Sequence, residues 1–201
     1  CNRQGDFARA APVESRIPDG DDRERFVCTA CGTIHYENPR VVVGCLVEHE
    51  GAILLCKRAI EPARGKWTLP AGFLELGESS QAGARRETRE EACAEVDILA
   101  PHAFLDVPHI GQLHAFYRAE LRTPAWAAGP ESQAVELFTP DDLPWDELSF
   151  PMVHFALRLR LADQADGVAR LHLGTAAWDG EGSPYDSARY VLREHRALPL
   201  C

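Results

Sequence analysis

Glu87, Glu90 and Glu91 stand at i, i+3 and i+4 in a stretch of helical character, so their carboxylates project from neighbouring positions of one face. Like charges at that spacing destabilise an isolated helix by about 0.2–0.5 kcal/mol per pair. A solvated face would be served as well by neutral polar residues, and a generic Glu-rich helix is ordinarily such a face. A hard divalent cation gives a reason for the crowding. Magnesium takes oxygen ligands and keeps waters that substrate phosphates can displace. Glu78 and Arg86 add an ion pair placed to orient the ligand carboxylates from behind.

These acids belong to a chain of 201 residues, 45% apolar and 26% charged. That is the composition of a soluble globular protein, with length for one domain and a small appendage. The formal net charge is −10 and lysine and arginine form no block. A nonspecific grip on nucleic acid or on an anionic membrane needs a basic footprint, so the charge argues against both as partners. An acidic protein that handles phosphates must gather positive charge locally, and metal ions are the obvious source. No stretch approaches the roughly 20 apolar residues that cross a bilayer. Residues 1–18 lack an apolar run like that of a signal peptide, which makes the cytoplasmic compartment the expectation. The chain does not begin with Met, which weakens it. The seven cysteines are odd in number; Cys45 and Cys56 lie inside apolar runs, where reduced cysteine packs as a small hydrophobe. The set reads as thiols with at most one metal site.

The elements that must position the acids follow from periodicity. Val41–Val47 is β-branched and apolar, and Gly51 offers a turn into a second strand, Ala52–Cys56, as in a hairpin. Lys66–Phe73 suits a short strand running into a loop. Ser79 or Ser80 caps a helix reaching about Cys93, with Ala84, Thr88 and Ala92 as a small inward stripe. Strands are expected near Val96–Leu99, Ala103–Val107, Leu113–Leu121 and Val135–Thr139, and Pro151 opens a helix ending near Asp163. The chain divides into a polar, turn-rich segment 1–39, a domain 40–163 and an extension 164–201 whose elements are unassigned. Mixed strands and helices make it α/β or α+β.

From Gly72 through Glu78 to Arg86-Glu87-Thr88-Arg89-Glu90-Glu91 the chain fits G-x5-E-x7-R-E-U-x-E-E-x-G-U at its six fixed polar and leading glycine positions. It thereby resembles the Nudix hydrolases over residues 40–160. Cys93 stands where the family has glycine, Thr88 where it has a larger aliphatic, and Ala71 replaces the commoner glycine of the lead-in Trp67-Thr-Leu-Pro70. The resemblance implies a Nudix-type α/β/α sandwich with a mixed sheet. It implies Glu87, Glu90 and Glu91 as ligands of Mg2+ (or Mn2+), with the Gly72 carbonyl a further ligand and Glu78 and Arg86 in support. The reaction implied is attack of water on a diphosphate phosphorus, with a base from a later loop, Glu131 or Glu136. It also implies a small-molecule nucleotide substrate and, as in many members, a homodimer.

Cys28-x-x-Cys31-Gly32 is half of a zinc ribbon, and Cys1-Asn-Arg-Gln4 has the shape of the other half with Gln4 in place of cysteine. Residues 1–39 thus form a zinc-ribbon-like segment that either holds Zn2+ through Cys1, Cys28 and Cys31, with His35 as a fourth ligand, or is a metal-free remnant. Ribbon-bearing relatives include NADH pyrophosphatases, whose Ser-Gln-Pro-Trp-Pro-Phe-Pro stretch has no counterpart here. ADP-ribose pyrophosphatases tend to carry proline fifteen residues past the box glycine, as Pro108 stands to Cys93. The resemblance therefore favours ADP-ribose or FAD, with AMP released. Its rivals are a non-catalytic Nudix-fold nucleotide sensor and a pyrophosphatase of NADH or capped RNA. Phe104 or Tyr117 could stack on a base, although core packing is the commoner role. His102, His109 and His114 lack paired spacing and read as structural, and Lys57 and Arg58 as a solvated strand end.

Overall fold

The computed structural model describes residues 12–200. The chain divides between Pro39 and Arg40 into two compact units. In the first, β1 (Val13–Arg16), β2 (Arg25–Cys28) and β3 (Ile34–His35) form a three-stranded antiparallel sheet. Val27 and Cys28 are buried in it, and Arg25 pairs with Asp21 at 2.9 Å at the entry to β2.

The second unit runs β4 (Arg40–His49), β5 (Ala52–Arg58), β6 (Trp67–Thr68), β7 (Ala71–Phe73), α1 (Ser80–Ala92), β8 (Val96–Val107), β9 (Gln112–Leu121), β10 (Ser132–Phe138), α2 (Pro151–Asp166), β11 (Arg170–Trp178) and β12 (Tyr190–Pro199). Its strands form one nine-stranded sheet ordered β10-β5-β4-β9-β8-β11-β12, with β6 added on β5 and β7 on β4. β4 runs parallel to β9, and β8 parallel to β11. The other pairings are antiparallel, so the sheet is mixed.

Alternation along each strand sorts side chains to the two faces. Val43, Cys45 and Val47 of β4, Leu54 and Cys56 of β5, and Ala115, Tyr117 and Ala119 of β9 pack beneath Ala84 and Ala92 of α1. Leu46, Ile53, Leu55, Leu105 and Phe116 point the other way, into a core closed by Met152, Val153, Ala156 and Leu157 of α2. A helix therefore covers each face, which is the expected α/β/α sandwich, and the central strands are apolar on both sides. Across this arrangement Glu48 of β4 joins Arg118 of β9 at 2.9 Å and Arg160 of α2 at 2.7 Å. Gln164 reaches the same carboxylate at 3.2 Å.

Two expectations change. The strands expected at Val96–Leu99 and Ala103–Val107 are a single strand, β8. Register shifts between Ile98 and Ala100 and between Pro101 and Ala103 bracket Pro101, so the missing N–H falls at a bulge and the strand continues. Residues 164–200, unassigned from sequence, finish α2 and supply β11 and β12 to the same sheet.

Cys93 closes α1 in the left-handed conformation, φ 48° and ψ 29°, with its N–H donating to the Arg89 carbonyl at 3.0 Å. A Cβ is strained there and glycine is not. Cys93→Gly is expected to raise stability by about 1 kcal/mol or less, the strain relieved being partly offset by a freer unfolded chain. Urea unfolding with an unchanged m-value is the measurement; a lowered midpoint contradicts it.

Candidate functional site

α1 is held close to the sheet by its small residues. Ser79 caps it, accepting the Ala82 N–H at 3.2 Å. Ala84, Thr88 and Ala92 are fully buried, and the Thr88 hydroxyl satisfies itself on the Ala84 carbonyl at 2.8 Å. That seating turns Glu87, Glu90 and Glu91 toward β7 and the chain leading from it.

Glu91 goes deepest. It is 6% exposed, and its Oε2 accepts the Ala71 N–H at 3.1 Å. Burial pushes its carboxyl up to about 7 against the Ala71 hydrogen bond, and the charges of Glu87 and Glu131 add to the rise. Burial raises Glu87 as well, in spite of its hydrogen bond from Arg86. Gly72 lies against this pair: a Cβ there would run into the Glu87 carboxylate, so the backbone approaches Glu87 because glycine permits it.

Arg86 is the hub. Its guanidinium donates to Glu78 at 2.8 Å, Glu87 at 2.6 Å, Glu90 at 3.1 Å and the Phe73 carbonyl at 3.0 Å. The Arg86 hydrogen bond, with another from the Glu75 N–H at 2.9 Å, draws the Glu78 carboxyl down to about 2. Glu78 is thus ionised throughout the working range and fixes the guanidinium, which in turn fixes two of the box acids. One cation shared among three carboxylates leaves an excess of negative charge beside a buried acid. Oxygen donors of that kind suit a hard divalent ion, and the residues fit magnesium or manganese.

The loop before β10 is fastened to the end of this helix. The Ala127 N–H donates to the Ala92 carbonyl and the Gly129 N–H to the Glu91 carbonyl, each at 2.9 Å, using acceptors the helix terminus leaves free. A Cβ on Gly129 would collide with the Glu90 carbonyl. Two residues on, Glu131 is tied by its carbonyl to the Ala59 N–H at 2.8 Å, and its charge reaches Glu87 and Glu91. Glu136 behaves differently. It is exposed on β10 between Val135 and Leu137, which pack on the α1 side, so it points to the opposite face.

Among the other candidates, Arg58 is near enough for its charge to favour the ionised form of Glu91, against the effect of burial. Tyr117 is buried, its hydroxyl 2.6 Å from the Ser80 hydroxyl, and its ring meets Phe104 edge-on at 6.0 Å. Lys57 lies over Trp67 and Arg58 over Phe150. His114 bonds Gln112 at 2.9 Å, and His109 bonds the Tyr190 hydroxyl at 3.1 Å. In the N-terminal unit Cys28 is buried and Cys31 exposed, with the Cys31 Sγ 3.1 Å from the Thr33 hydroxyl. His35 is exposed on β3 opposite Phe26. Among the described residues no third ligand groups with these thiols; Cys1 lies outside the described residues. Sequence reasoning gave no role to Ala71 and Gly129, which act through backbone groups that residue type does not announce.

The Glu91 environment has a consequence for chelator-treated protein. An ordinary glutamate titrates at 4.5, and Glu91 in the fold near 7. The folded chain binds this proton more tightly than the unfolded chain does. Its contribution to stability is therefore complete below pH 4.5 and lost as pH rises through about 7. Relative to Glu91→Gln, the wild-type urea midpoint is expected to fall across that window. A constant difference between the two proteins contradicts the assignment.

The family model described as "NUDIX domain" matches residues 38–158, and one described as "Nudix N-terminal" matches residues 10–37. The chain is 41% identical over 56 residues to an ADP-ribose pyrophosphatase of Methanocaldococcus jannaschii, covering 28% of this chain and 33% of that protein. It is 39% identical over 71 residues to the nucleoside triphosphatase NudI of Enterobacter, covering 33% and 50%. The chain thus spans a third to a half of the length of these curated relatives. A crystal structure of a NUDIX hydrolase from Nitrosomonas europaea superposes with a TM-score of 0.81 at 44% identity, covering 84% of this chain and 96% of that one. With its domain model matched over more than half the chain and the box acids gathered as described, this protein belongs to the Nudix hydrolase family.

Proposed function

We propose that this chain hydrolyses the pyrophosphate bond of a nucleoside diphosphate joined to a second group, with ADP-ribose or FAD as substrate and AMP as one product. The observation that carries the reading is Glu91, a nearly buried carboxylate set beside Glu87, which the Arg58 charge reaches but which accepts its hydrogen bond only from the Ala71 N–H. Such a group is costly unless a cation or a proton answers it. The partial likeness to an ADP-ribose pyrophosphatase favours that substrate.

Glu87, Glu90, Glu91 and the Gly72 carbonyl are the groups that would hold magnesium or manganese. When bound, the ion supplies a more acidic water and neutralises phosphate oxygens. Arg86 and Glu78 keep the acids in register. Glu131, fixed by the Ala59 N–H and close enough to be felt by Glu87 and Glu91, accepts the proton of the attacking water. The new bond joins the water oxygen to phosphorus. The bridging P–O bond breaks, and its oxygen leaves on the other phosphate. Zinc in the N-terminal unit would rest on Cys28 and Cys31.

The likeness to a nucleoside triphosphatase supports a second reading, in which the same site cuts a nucleoside triphosphate. A panel of ADP-ribose, FAD, NADH, capped RNA and nucleoside triphosphates with magnesium, products identified, separates the readings. AMP with ribose 5-phosphate from ADP-ribose is the expected result; turnover of triphosphates alone favours the second reading. No turnover of any substrate points to a sensor and overturns both.

Glu90→Gln and Glu131→Gln are each expected to lower kcat by about 10²–10⁴-fold, the range for loss of a positioned acid–base group or charge. Glu136→Gln, on the other face, is expected to leave it within about twofold. Equal losses in Glu131→Gln and Glu136→Gln would remove Glu131 from its role.

A further inference from the structure

On the opposite face of the sheet from the box acids, three side chains from distant parts of the chain meet in the core. His102 comes from β8, Asp163 from α2 and His172 from β11, and each is buried. One potential ligand atom from each lies within 4.8 Å of the other two.

The hydrogen bonding is that of ligands held from outside. The His102 Nε2 is 2.9 Å from the Ala156 carbonyl, which can only accept, so Nε2 carries the proton. The other ring nitrogen, Nδ1, therefore presents a lone pair, and it has no partner although the residue is fully buried. A buried acceptor without a donor is rare and costly. His172 presents Nε2 to Asp163 at 3.2 Å, and its Nδ1 lies 3.0 Å from Nε2 of His195. The His195 ring stacks on that of His172 at 5.3 Å. Asp163 is steadied by the Arg170 guanidinium on Oδ1 at 2.9 Å and by the Arg170 N–H on Oδ2 at 3.1 Å. Histidine ligands characteristically give their second N–H to a carbonyl or a further acceptor. Ala156 and His195 stand in those places. The neighbouring cations are themselves answered, Arg160 by Glu48 at 2.7 Å and Arg170 by Asp166 at 2.9 Å.

We propose that His102, Asp163 and His172 bind a divalent transition-metal ion of the zinc class, in a site separate from the diphosphate site. Two imidazole nitrogens and one carboxylate oxygen select zinc over magnesium, which prefers oxygen throughout. Ligand atoms around zinc are roughly 3.3 Å apart for bonds of about 2 Å, so binding draws the three side chains inward. His172 must give up its Nε2 proton. With both imidazoles neutral the proton reappears on Nδ1, donated to His195, which shifts its own proton outward, so the pair changes tautomer together. The ion would brace α2 and β11 against β8 and so fasten the C-terminal strands to the domain.

Equilibrium dialysis against zinc in excess magnesium, with metal analysis, tests this in the full chain carrying Cys1→Ser, Cys28→Ser and Cys31→Ser, which removes the ribbon thiols. One zinc equivalent is expected that is lost on adding His102→Gln or Asp163→Asn, and zinc should raise the Tm of the former protein only. Zinc retention unchanged by both substitutions overturns the proposal, as does no retention in the Cys-substituted chain. Long-range 1H–15N spectra of the histidine rings in the unaltered chain serve if a substitution prevents folding. Zinc should move His102 Nδ1 and His172 Nε2, and resonances that stay in place would sink the site.

Discussion

Negative charge kept out of water on one stretch of α1 governs the design of this protein. An unpaired carboxylate moved from water into a protein interior is strongly disfavoured, and the chain places Glu91 and Glu87 where burial raises both. It tolerates this because Arg86 serves three acids at once and because Ala71 lends an N–H to Glu91. In the proposed function, the tension that remains is what would drive the uptake of a cation. The site is thus a region of the fold left electrostatically incomplete.

The surrounding structure can be read as support for that arrangement. α1 approaches the sheet on alanine and threonine, which lets its acids come level with the backbone of β7. At Gly72 and Gly129 the main chain presses against the acidic helix where a Cβ would not fit, at one against a side chain and at the other against a carbonyl. On the far side, Glu48 gathers Arg118 and Arg160, so the central strand is tied to its parallel neighbour and to α2 by charge as well as by packing. Both helices therefore report to β4, which lies near the middle of the sheet.

The box helix was legible from sequence because its information is local. The Glu87, Glu90 and Glu91 spacing, the Ser79 cap and the Ala84, Thr88 and Ala92 stripe all lie within one helix. Apolar strands such as Val41–Val47 with the helices between them gave α/β or α+β, and the sandwich came from the resemblance to the Nudix hydrolases. The rest was carried by distant partners. The strands expected at Val96–Leu99 and Ala103–Val107 are joined through Pro101 by a bulge opposite β9 that sequence does not show. β11 turns His172, Gly174 and Ala176 inward. That is too small and polar a set to announce a strand. His102 looked like an isolated histidine because Asp163 and His172 reach it only after the sheet is assembled. Glu131 and Glu136 were indistinguishable until the fold put Glu131 in the loop before β10, tied to Ala59, and turned Glu136 on β10 away from α1.

The parallel contact of β4 with β9 has a kinetic corollary. Arg40–Glu48 pairs with Gln112–Glu120, and the whole of α1 lies in the intervening chain. Closing so long a loop is entropically slow, and folding rates fall as contacts become less local. α1, whose inward stripe is only Ala84, Thr88 and Ala92, has little apolar surface to hold it before that closure supplies the sheet beneath it. Return of activity after dilution from denaturant would then mark completion of the whole sheet, with helix formation following strand docking.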